Sequence, residues 1–363
     1  MKICVYAISK NEEMFVERFC AAAHAADEIL IVDTGSTDNT KKLAHECGAT
    51  VRQITISPWR FDHARNAALA LVPADVDVCV SLDLDEVLQP GWREEIERVW
   101  KLGETTRMRY MFDWGIGIAF KYEKIHARSG YSWHHPCHEY PIPDPRLTEV
   151  WADTDMLLVV HKPDPTKSRA QYLDLLYASV TEDPYCPRNA FYYARELSFN
   201  RRWQDAINEC NRYLALPRAT WVNERCYARR VQGRCYVELG NWYEAERHFH
   251  LAAADAPNTR EPWTELAVKL MLKWPGLHYM TSAFAPKHYP KAIIDYANTR
   301  GADKIMFCGY FPAGLTLERQ FEDMPKVPFR DHVWPKFLRE NALRVFKIPE
   351  TIERATGKPF GSA

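Results

Sequence analysis

The chain has 363 residues, 47% of them hydrophobic, and a formal net charge of −1. That is too long for one small core and supplies apolar material for two packed domains. No uninterrupted apolar run approaches the roughly 20 residues of a spanning helix. Lys10-Asn11-Glu12-Glu13 also follows the first apolar stretch too soon for a signal peptide. Both readings predict a soluble, cytoplasmic protein with no membrane span. The ten cysteines are scattered without a CxxC pair, as expected of reduced, structural thiols. Charge is uneven: acids exceed Lys plus Arg by seven over residues 1–100, whereas ten arginines face four acids between Tyr185 and Cys235. Those arginines read either as a phosphate-binding surface or as solvated helix faces.

Short apolar runs alternate with helical spacing from the start, the pattern of βαβ units. Strands are predicted over Lys2–Ile8, Glu28–Asp33, Thr50–Ile54 and Val76–Leu82, and helices over Glu12–Ala26, Thr40–Cys47 and Asp62–Leu71. The result is an α/β domain with a mainly parallel sheet, whose crevice lies at the strands' C-terminal ends. A helix over Trp92–Trp100 and aromatic-rich strands around Arg107–Phe120 and Met156–Val160 complete this domain, residues 1–165. Proline-rich stretches at Pro141–Pro145 and Pro163–Pro165 break the chain before a helical region starting near Lys167.

The helical region, residues 166–275, contains an internal repeat. Trp203-Gln204-Asp205-Ala206, running on to Cys210 and Tyr213, aligns at an offset of 39 with Trp242-Tyr243-Glu244-Ala245, running on to Phe249 and Ala252. Each copy has an upstream helix, a short turn, a second helix and a closing proline, Pro217 or Pro257. The pattern resembles the second helix of a tetratricopeptide repeat, whose usual period of about 34 residues implies a loop insertion around Thr220–Asn223. Two unrelated amphipathic hairpins would look the same. Residues 276–363 read as a C-terminal extension packed on the other two domains.

Asp83 and Asp85 flank Leu84 directly after the apolar run that ends Val80-Ser81-Leu82. Two carboxylates one residue apart at a strand end can both approach one Mg²⁺ or Mn²⁺, directly or through water. Taken alone, such a pair is as easily an acidic loop. Here it stands fourth in an ordered series: Ile8-Ser9-Lys10-Asn11-Glu12-Glu13, Ile29 to Thr40 with Asp33-Thr34-Gly35-Ser36 at its centre, Phe61-Asp62-His63-Ala64-Arg65-Asn66, and Leu82-Asp83-Leu84-Asp85-Glu86. These segments resemble the successive signatures of glycosyltransferase family two, in its branch of cytoplasmic enzymes carrying tetratricopeptide repeats. The resemblance is strong over residues 1–90, patchy to about 170, and by architecture alone beyond. It implies a GT-A, Rossmann-like domain over residues 1–165, followed by an all-α tetratricopeptide-like domain. It also implies a metal-dependent, inverting transfer of a sugar from a nucleotide-sugar donor, UDP-linked, to a hydroxyl of a macromolecular acceptor.

The resemblance places the nucleoside at the first two strand ends, with Ser9, Glu12, Asp33, Arg65 and Asp83 binding the donor. A carboxylate just past a parallel strand, such as Asp33, can accept from ribose hydroxyls or a base N–H, and it can equally close the turn it opens. Ser36, Thr37 and Asp38 read as turn and N-cap residues, and Asp62 as the cap of the third helix. Arg65, on that helix's first turn, can aim its guanidinium at the base or diphosphate, or form a surface ion pair. The cation falls to Asp85, with Asp83 as second ligand or ribose contact. His161, after the last strand, is a third ligand that tilts the preference from Mg²⁺ towards Mn²⁺.

Tyr131-Ser132-Trp133-His134-His135-Pro136-Cys137-His138-Glu139-Tyr140 resembles the family's His-Glu segment. Glu139 is the candidate general base, and Trp133 and His138 the sugar or acceptor contacts. The acceptor stays open. Arginine-rich helices interleaved with tyrosine and tryptophan could track DNA and present a hydroxymethylated base. A peptide or a polysaccharide suits a repeat surface equally well. A nucleotidyltransferase on the same fold would need a glycine-rich phosphate loop after the first strand, where Ile8 to Glu13 has no glycine. An inactive, repeat-mediated binding protein would have no use for Asp33, Asp83, Asp85 and Glu139 together.

Overall fold

The computed structural model describes residues 1–115, 117–164, 170–281, 285–309 and 316–348. The chain divides into two compact units, Met1–Pro184 and Tyr185–Ala363. The expected domain edge between residues 165 and 166, and the expected helix start near Lys167, lie outside the described residues.

The first unit runs β1 (Ile3–Ser9), α1 (Glu13–Ala23), β2 (Glu28–Asp33), α2 (Thr40–Glu46), β3 (Thr50–Gln53), α3 (Phe61–Leu71), β4 (Val78–Ser81), β5 (Glu86–Leu88), α4 (Trp92–Val99), β6 (Arg107–Gly115), β7 (Ile118–Ala127), β8 (Tyr131–His134), β9 (Tyr140–Pro143), β10 (Trp151–His161) and α5 (Tyr172–Glu182). Eight strands form one sheet in the order β3-β2-β1-β4-β7-β6-β10-β5. The first four are mutually parallel, as are β6 and β10, while β7 and the edge strand β5 run antiparallel to their neighbours.

β1 lies in the middle of the sheet with both faces covered, which is why Ile3 to Ser9 reads as a continuous apolar run rather than an alternation. Its pleat still sorts the side chains. Ile3, Val5 and Ala7 join Phe15, Val16 and Phe19 of α1 and Ala44 of α2 in one layer. Cys4 and Tyr6 join Ala68 and Leu69 of α3 and Trp133 of β8 in the other. From β1 the order runs outwards to β2 and β3 on one side and to β4 on the other, so a crevice opens at the strands' C-terminal ends. Ser9 there stands opposite Asp33, and Tyr6 opposite Ser81.

The expected run Arg107–Phe120 is a hairpin, β6 and β7, turned at Gly115 and Gly117, both at positive φ. β5 is only three residues long, too short to show any period, and the sequence reading missed it.

The second unit opens with helical hairpins: α6 (Pro187–Phe199) with α7 (Trp203–Ala215), α8 (Val222–Glu238) with α9 (Trp242–Asp255), then α10 (Arg260–Lys273). The second helices start 39 residues apart, at Trp203 and Trp242, but the first helices start 35 apart, at Pro187 and Val222. The insertion expected in the loop at Thr220–Asn223 is therefore corrected. It lies inside α8, which has 17 residues against 13 in α6, about one extra helical turn. Residues 276–348 carry their own apolar cluster, including Tyr289, Ile293, Phe329 and Phe337, joined to α10 through Met271.

Many of the arginines are already engaged. Arg212 pairs with Glu209, Arg229 with Asp255, Arg230 and Arg234 with Glu265, and Arg225 donates to the carbonyls of Leu214 and Ala219. Among the described residues no helix is long and apolar enough to cross a membrane, and none of the ten cysteines forms a disulfide.

Candidate active site

β5 decides how the acidic pair is held. It pairs antiparallel with the end of β10, setting Glu86 opposite His161, and the Lys162 N–H donates to the Asp85 carbonyl at 2.8 Å. At the other end, the Leu82 N–H donates to the Tyr6 carbonyl at 3.1 Å. With Leu84 buried between them, the two acids take different partners. Asp85 Oδ2 lies 3.4 Å from His161 Nε2. The His161 ring packs against Trp114, with centroids 4.5 Å apart, and against Phe112 at 5.9 Å. Its Nδ1 is buried and makes no hydrogen bond with any described residue.

Asp83 turns the other way. One oxygen accepts from Arg65 Nη2 and the other from Lys124 Nζ at 3.3 Å. Each oxygen of the expected second ligand thus already carries one hydrogen bond from a cation of the chain itself, while the side chain stays 43% exposed. Among the described residues no three His, Cys, Asp or Glu side chains converge to hold an ion.

Arg65 sits in the second turn of α3 and is 3% exposed. Its Nε donates to Glu139 Oε1 at 2.5 Å, and its guanidinium lies 4.9 Å from the Trp133 ring. Of the two roles expected from sequence the surface ion pair is corrected: Arg65 is a buried bridge between two carboxylates. Lys124 on β7 donates to both oxygens of Glu86, at 2.7 and 2.9 Å. The five groups form a chain: Glu139, Arg65, Asp83, Lys124, Glu86. Crowding by its neighbours partly desolvates the half-exposed Asp83 and opposes its charge, yet the charges of Arg65 and Lys124 outweigh this and hold the carboxyl well below its usual range. Burial likewise opposes the Lys124 ammonium, and the charges of Asp83 and Glu86 overcome it, raising its pKa. For Glu86 burial wins and raises the carboxyl, against the pull of Lys124. Lys124 and Glu86 were missed as site residues. Lys124 stands in a strand of mixed polarity, and only the pairing of β7 with β4 shows that it is buried.

Asp33, fully buried, accepts from the N–H groups of Gly35 and Ser36 at 3.0 and 2.9 Å and from the hydroxyls of Ser36 and Ser9. With its carboxylate so occupied it closes the turn, the second of the two roles expected from sequence. Gly35, at φ +112°, is required there. The loops after β1 and β2 are bolted together. The Asn11 N–H donates to Ser36 Oγ and the Thr37 N–H to Asn11 Oδ1, both at 2.8 Å. The Glu12 N–H donates to Thr40 Oγ1 at 2.7 Å and the Asn39 N–H to Glu13 Oε2 at 2.9 Å. Asp38 accepts from the Thr40 N–H at 3.0 Å, but the N-cap of α2 is Asn39, so the expected capping role of Asp38 is corrected. Asp62 is not the cap of α3. It lies inside the first turn, buried, and pairs with Arg60, which occupies the N-cap position.

Trp133 is 2% exposed and donates from Nε1 to the Tyr6 hydroxyl at 2.9 Å. Its expected stacking on a sugar is corrected, because the alternation of β8 turns Tyr131 and Trp133 inwards. The same Tyr6 hydroxyl meets His126 Nε2 at 3.1 Å, and burial pushes that imidazole down to about 4. His138, at φ +56°, sets its ring edge-on to Tyr172 at 5.9 Å.

Residues 4–108 match the family model described as Glycosyl transferase family 2. An uncharacterized glycosyltransferase of Rickettsia bellii is 31% identical over 99 residues, covering 27% of this chain and 32% of that protein. The lipopolysaccharide core biosynthesis glycosyltransferase LpsC of Rhizobium meliloti is 31% identical over 97 residues, 26% of this chain and 35% of its own length. The chain thus spans about a third of the curated relatives it matches. A solved glucosyl-3-phosphoglycerate synthase from Mycobacterium tuberculosis, in complex with Mn²⁺, UDP and glucosyl-3-phosphoglycerate, shares 22% identity over 31% of this chain and 44% of its own, with a TM-score of 0.27. The family match thus places a glycosyl transferase family 2 domain over residues 4–108.

Proposed function

We propose that this chain is a metal-dependent, inverting glycosyltransferase that moves a sugar from a UDP-linked donor to a hydroxyl of a macromolecular acceptor. The observation that carries the reading is the meeting of Asp85, from the family-matched segment, with His161 at the end of β10. A carboxylate oxygen and an imidazole nitrogen 3.4 Å apart suit one small divalent ion. Mg²⁺ or Mn²⁺ takes few protein ligands and fills its shell from substrate phosphates and water. Among the described residues nothing gives His161 Nδ1 the hydrogen bond that usually orients a ligand imidazole, and packing on Trp114 positions the ring. When bound, the ion offsets the charge that builds on the departing diphosphate.

The chain's own groups do the rest. The bolted loops Asn11–Glu13 and Ser36–Asn39 form the nucleoside wall, with Ser9 and Asp33 shaping it from behind and Glu12 at its rim. Glu139 keeps one oxygen on Arg65, while the other, unbonded among the described residues, takes the acceptor's proton. The acceptor oxygen forms the new glycosidic bond as the bond to the diphosphate breaks, and that electron pair leaves with UDP. His138 sits beside Glu139 as an acceptor contact. We place the helical hairpins of the second unit as tetratricopeptide-like repeats. Their paired arginines weaken the case for a DNA acceptor, and the name of the Rhizobium relative favours a glycan.

Calorimetric titration of UDP into the full chain, with and without Mn²⁺, tests the reading. Binding is expected to require Mn²⁺ and to weaken by about ten-fold or more in Asp85→Asn and His161→Ala, whereas Asp83→Asn keeps the Mn²⁺ requirement. Metal-independent or absent UDP binding overturns it.

A further inference from the structure

The arginines of the helical unit are not all matched by carboxylates. Arg195 of α6 lies among four aromatic rings, Phe191, Tyr192, Phe199 and Tyr227, at 5.2–5.8 Å from their centroids. Its Nε is buried, and among the described residues no group accepts a hydrogen bond from any of its N–H donors. Buried donors are nearly always paired, so this guanidinium stands out. Tyr227, on α8, gathers two more: Arg230 at 5.4 Å and Arg234 at 5.9 Å. Both of these pair with a single carboxylate. Arg230 donates to the two oxygens of Glu265 at 3.0 and 3.3 Å, and Arg234 donates to it from Nε at 3.0 Å.

The other charges nearby do not restore the balance. Glu224 of α8 feels the charge of Arg195, but it feels Arg188 as well and accepts from the Tyr213 hydroxyl at 3.2 Å. On α10, Lys269 faces Glu238 and Arg300 as well as Glu265, and Glu261 follows Arg260 in sequence. With Glu224 set against Arg188 and Glu238 against Lys269, Arg195, Arg230 and Arg234 have Glu265 alone. Two positive charges are left over within 6 Å of one ring. An open guanidinium fork beside such a surplus suits an oxyanion. The size of the surplus selects which one. A carboxylate or a phosphodiester brings one negative charge, whereas a phosphate monoester brings up to two, with three strong acceptor oxygens.

We propose that Arg195, Arg230 and Arg234 form a binding site for a phosphate monoester around Tyr227 on the helical unit. The site shares no residue with the donor reading above, and either can fail without the other.

Calorimetric titration of methyl phosphate into the full chain, with UDP and Mn²⁺ already present, tests it. Saturable binding is expected, about ten-fold stronger than that of dimethyl phosphate and weakened by added salt. Arg195→Met keeps an apolar stem among the rings and should weaken binding about ten-fold, as should Arg234→Gln. Arg234 has a side chain 48% exposed, so its variant folds and decides the matter if circular dichroism shows that Arg195→Met does not. Glu265→Gln, which enlarges the surplus, should tighten binding. No binding of methyl phosphate to the wild type, equal binding of dimethyl phosphate, or undiminished binding in either folded arginine variant overturns the proposal. Glucose 6-phosphate and phosphatidic acid vesicles both present a monoester, and whichever is held more tightly identifies the source as a soluble ester or a lipid headgroup.

Discussion

Replacing Lys124 by methionine keeps its length and removes its charge, leaving Glu86 buried, with a side chain 4% exposed, and without its partner. A buried carboxylate in that position takes up a proton rather than remain charged. Protonation at pH 7 costs 1.36 kcal/mol for each pH unit above the carboxyl's ordinary value of 4.5, giving a ceiling of about 3.4 kcal/mol. That lies within the roughly 3–5 kcal/mol seen when one partner of a buried pair is removed. Asp83 adds little, since its side chain is 43% exposed and it keeps Arg65. The pH dependence has a definite sign. Glu86 already has a folded-state pKa raised above its ordinary value, and losing Lys124 raises it further. The stability that depends on its proton is therefore complete below about pH 4.5 and lost as pH rises towards the folded-state value. Hydrogen exchange of β1 and β4 amides, each compared with wild type at the same pH, reads the effect without requiring two-state unfolding. Protection should fall by about 300-fold at pH 7 and by only about three-fold at pH 5. Adding Glu86→Gln should remove the pH dependence. A loss of equal size at both pH values, or none at pH 7, would refute the buried charge chain.

Two further substitutions probe other parts of the molecule. Asp33→Asn places an amide where four donors converge and should cost about 1–3 kcal/mol in thermal unfolding; unchanged stability with lost UDP binding would return Asp33 to the donor. Gly233→Ala builds a Cβ 2.6 Å from the Phe249 ring between α8 and α9, and overpacking there should destabilise the helical unit by about 1–3 kcal/mol, seen as a lower melting temperature by circular dichroism. A melting temperature at or above wild type would show that α8 and α9 are not in such close approach.

Elements whose partners follow within a few residues were legible. The runs Glu28–Asp33 and Phe61–Leu71 end in turn chemistry and show their period, and the structure places them within a residue of expectation. The site was legible as a set of residues but not as a set of directions. Asp33, Arg65, Asp83 and Trp133 all stand around the crevice, yet each is tied to a partner distant in sequence: Ser9, Glu139, Lys124 and Tyr6. A carboxylate at a strand end carries no sign of whether water, a ligand or a lysine completes it. For Trp133 a sign was present but went unread, since Tyr131 and Trp133 alternate with two polar residues and so share the inner face. The pairing of Asp85 with His161 depended on β5, whose three residues hold the acidic segment against the end of β10.

The bolting of Asn11, Glu12 and Glu13 onto Ser36, Thr37, Asn39 and Thr40 makes the two loops one heritable piece. A change at Asn11 strands the N–H of Thr37, and a change at Ser36 strands that of Asn11. Evolution is therefore expected to alter the two motifs in step. Anyone exchanging donor preference between relatives would have to transplant both loops at once, since a chimera carrying only one would inherit mismatched halves of the same joint.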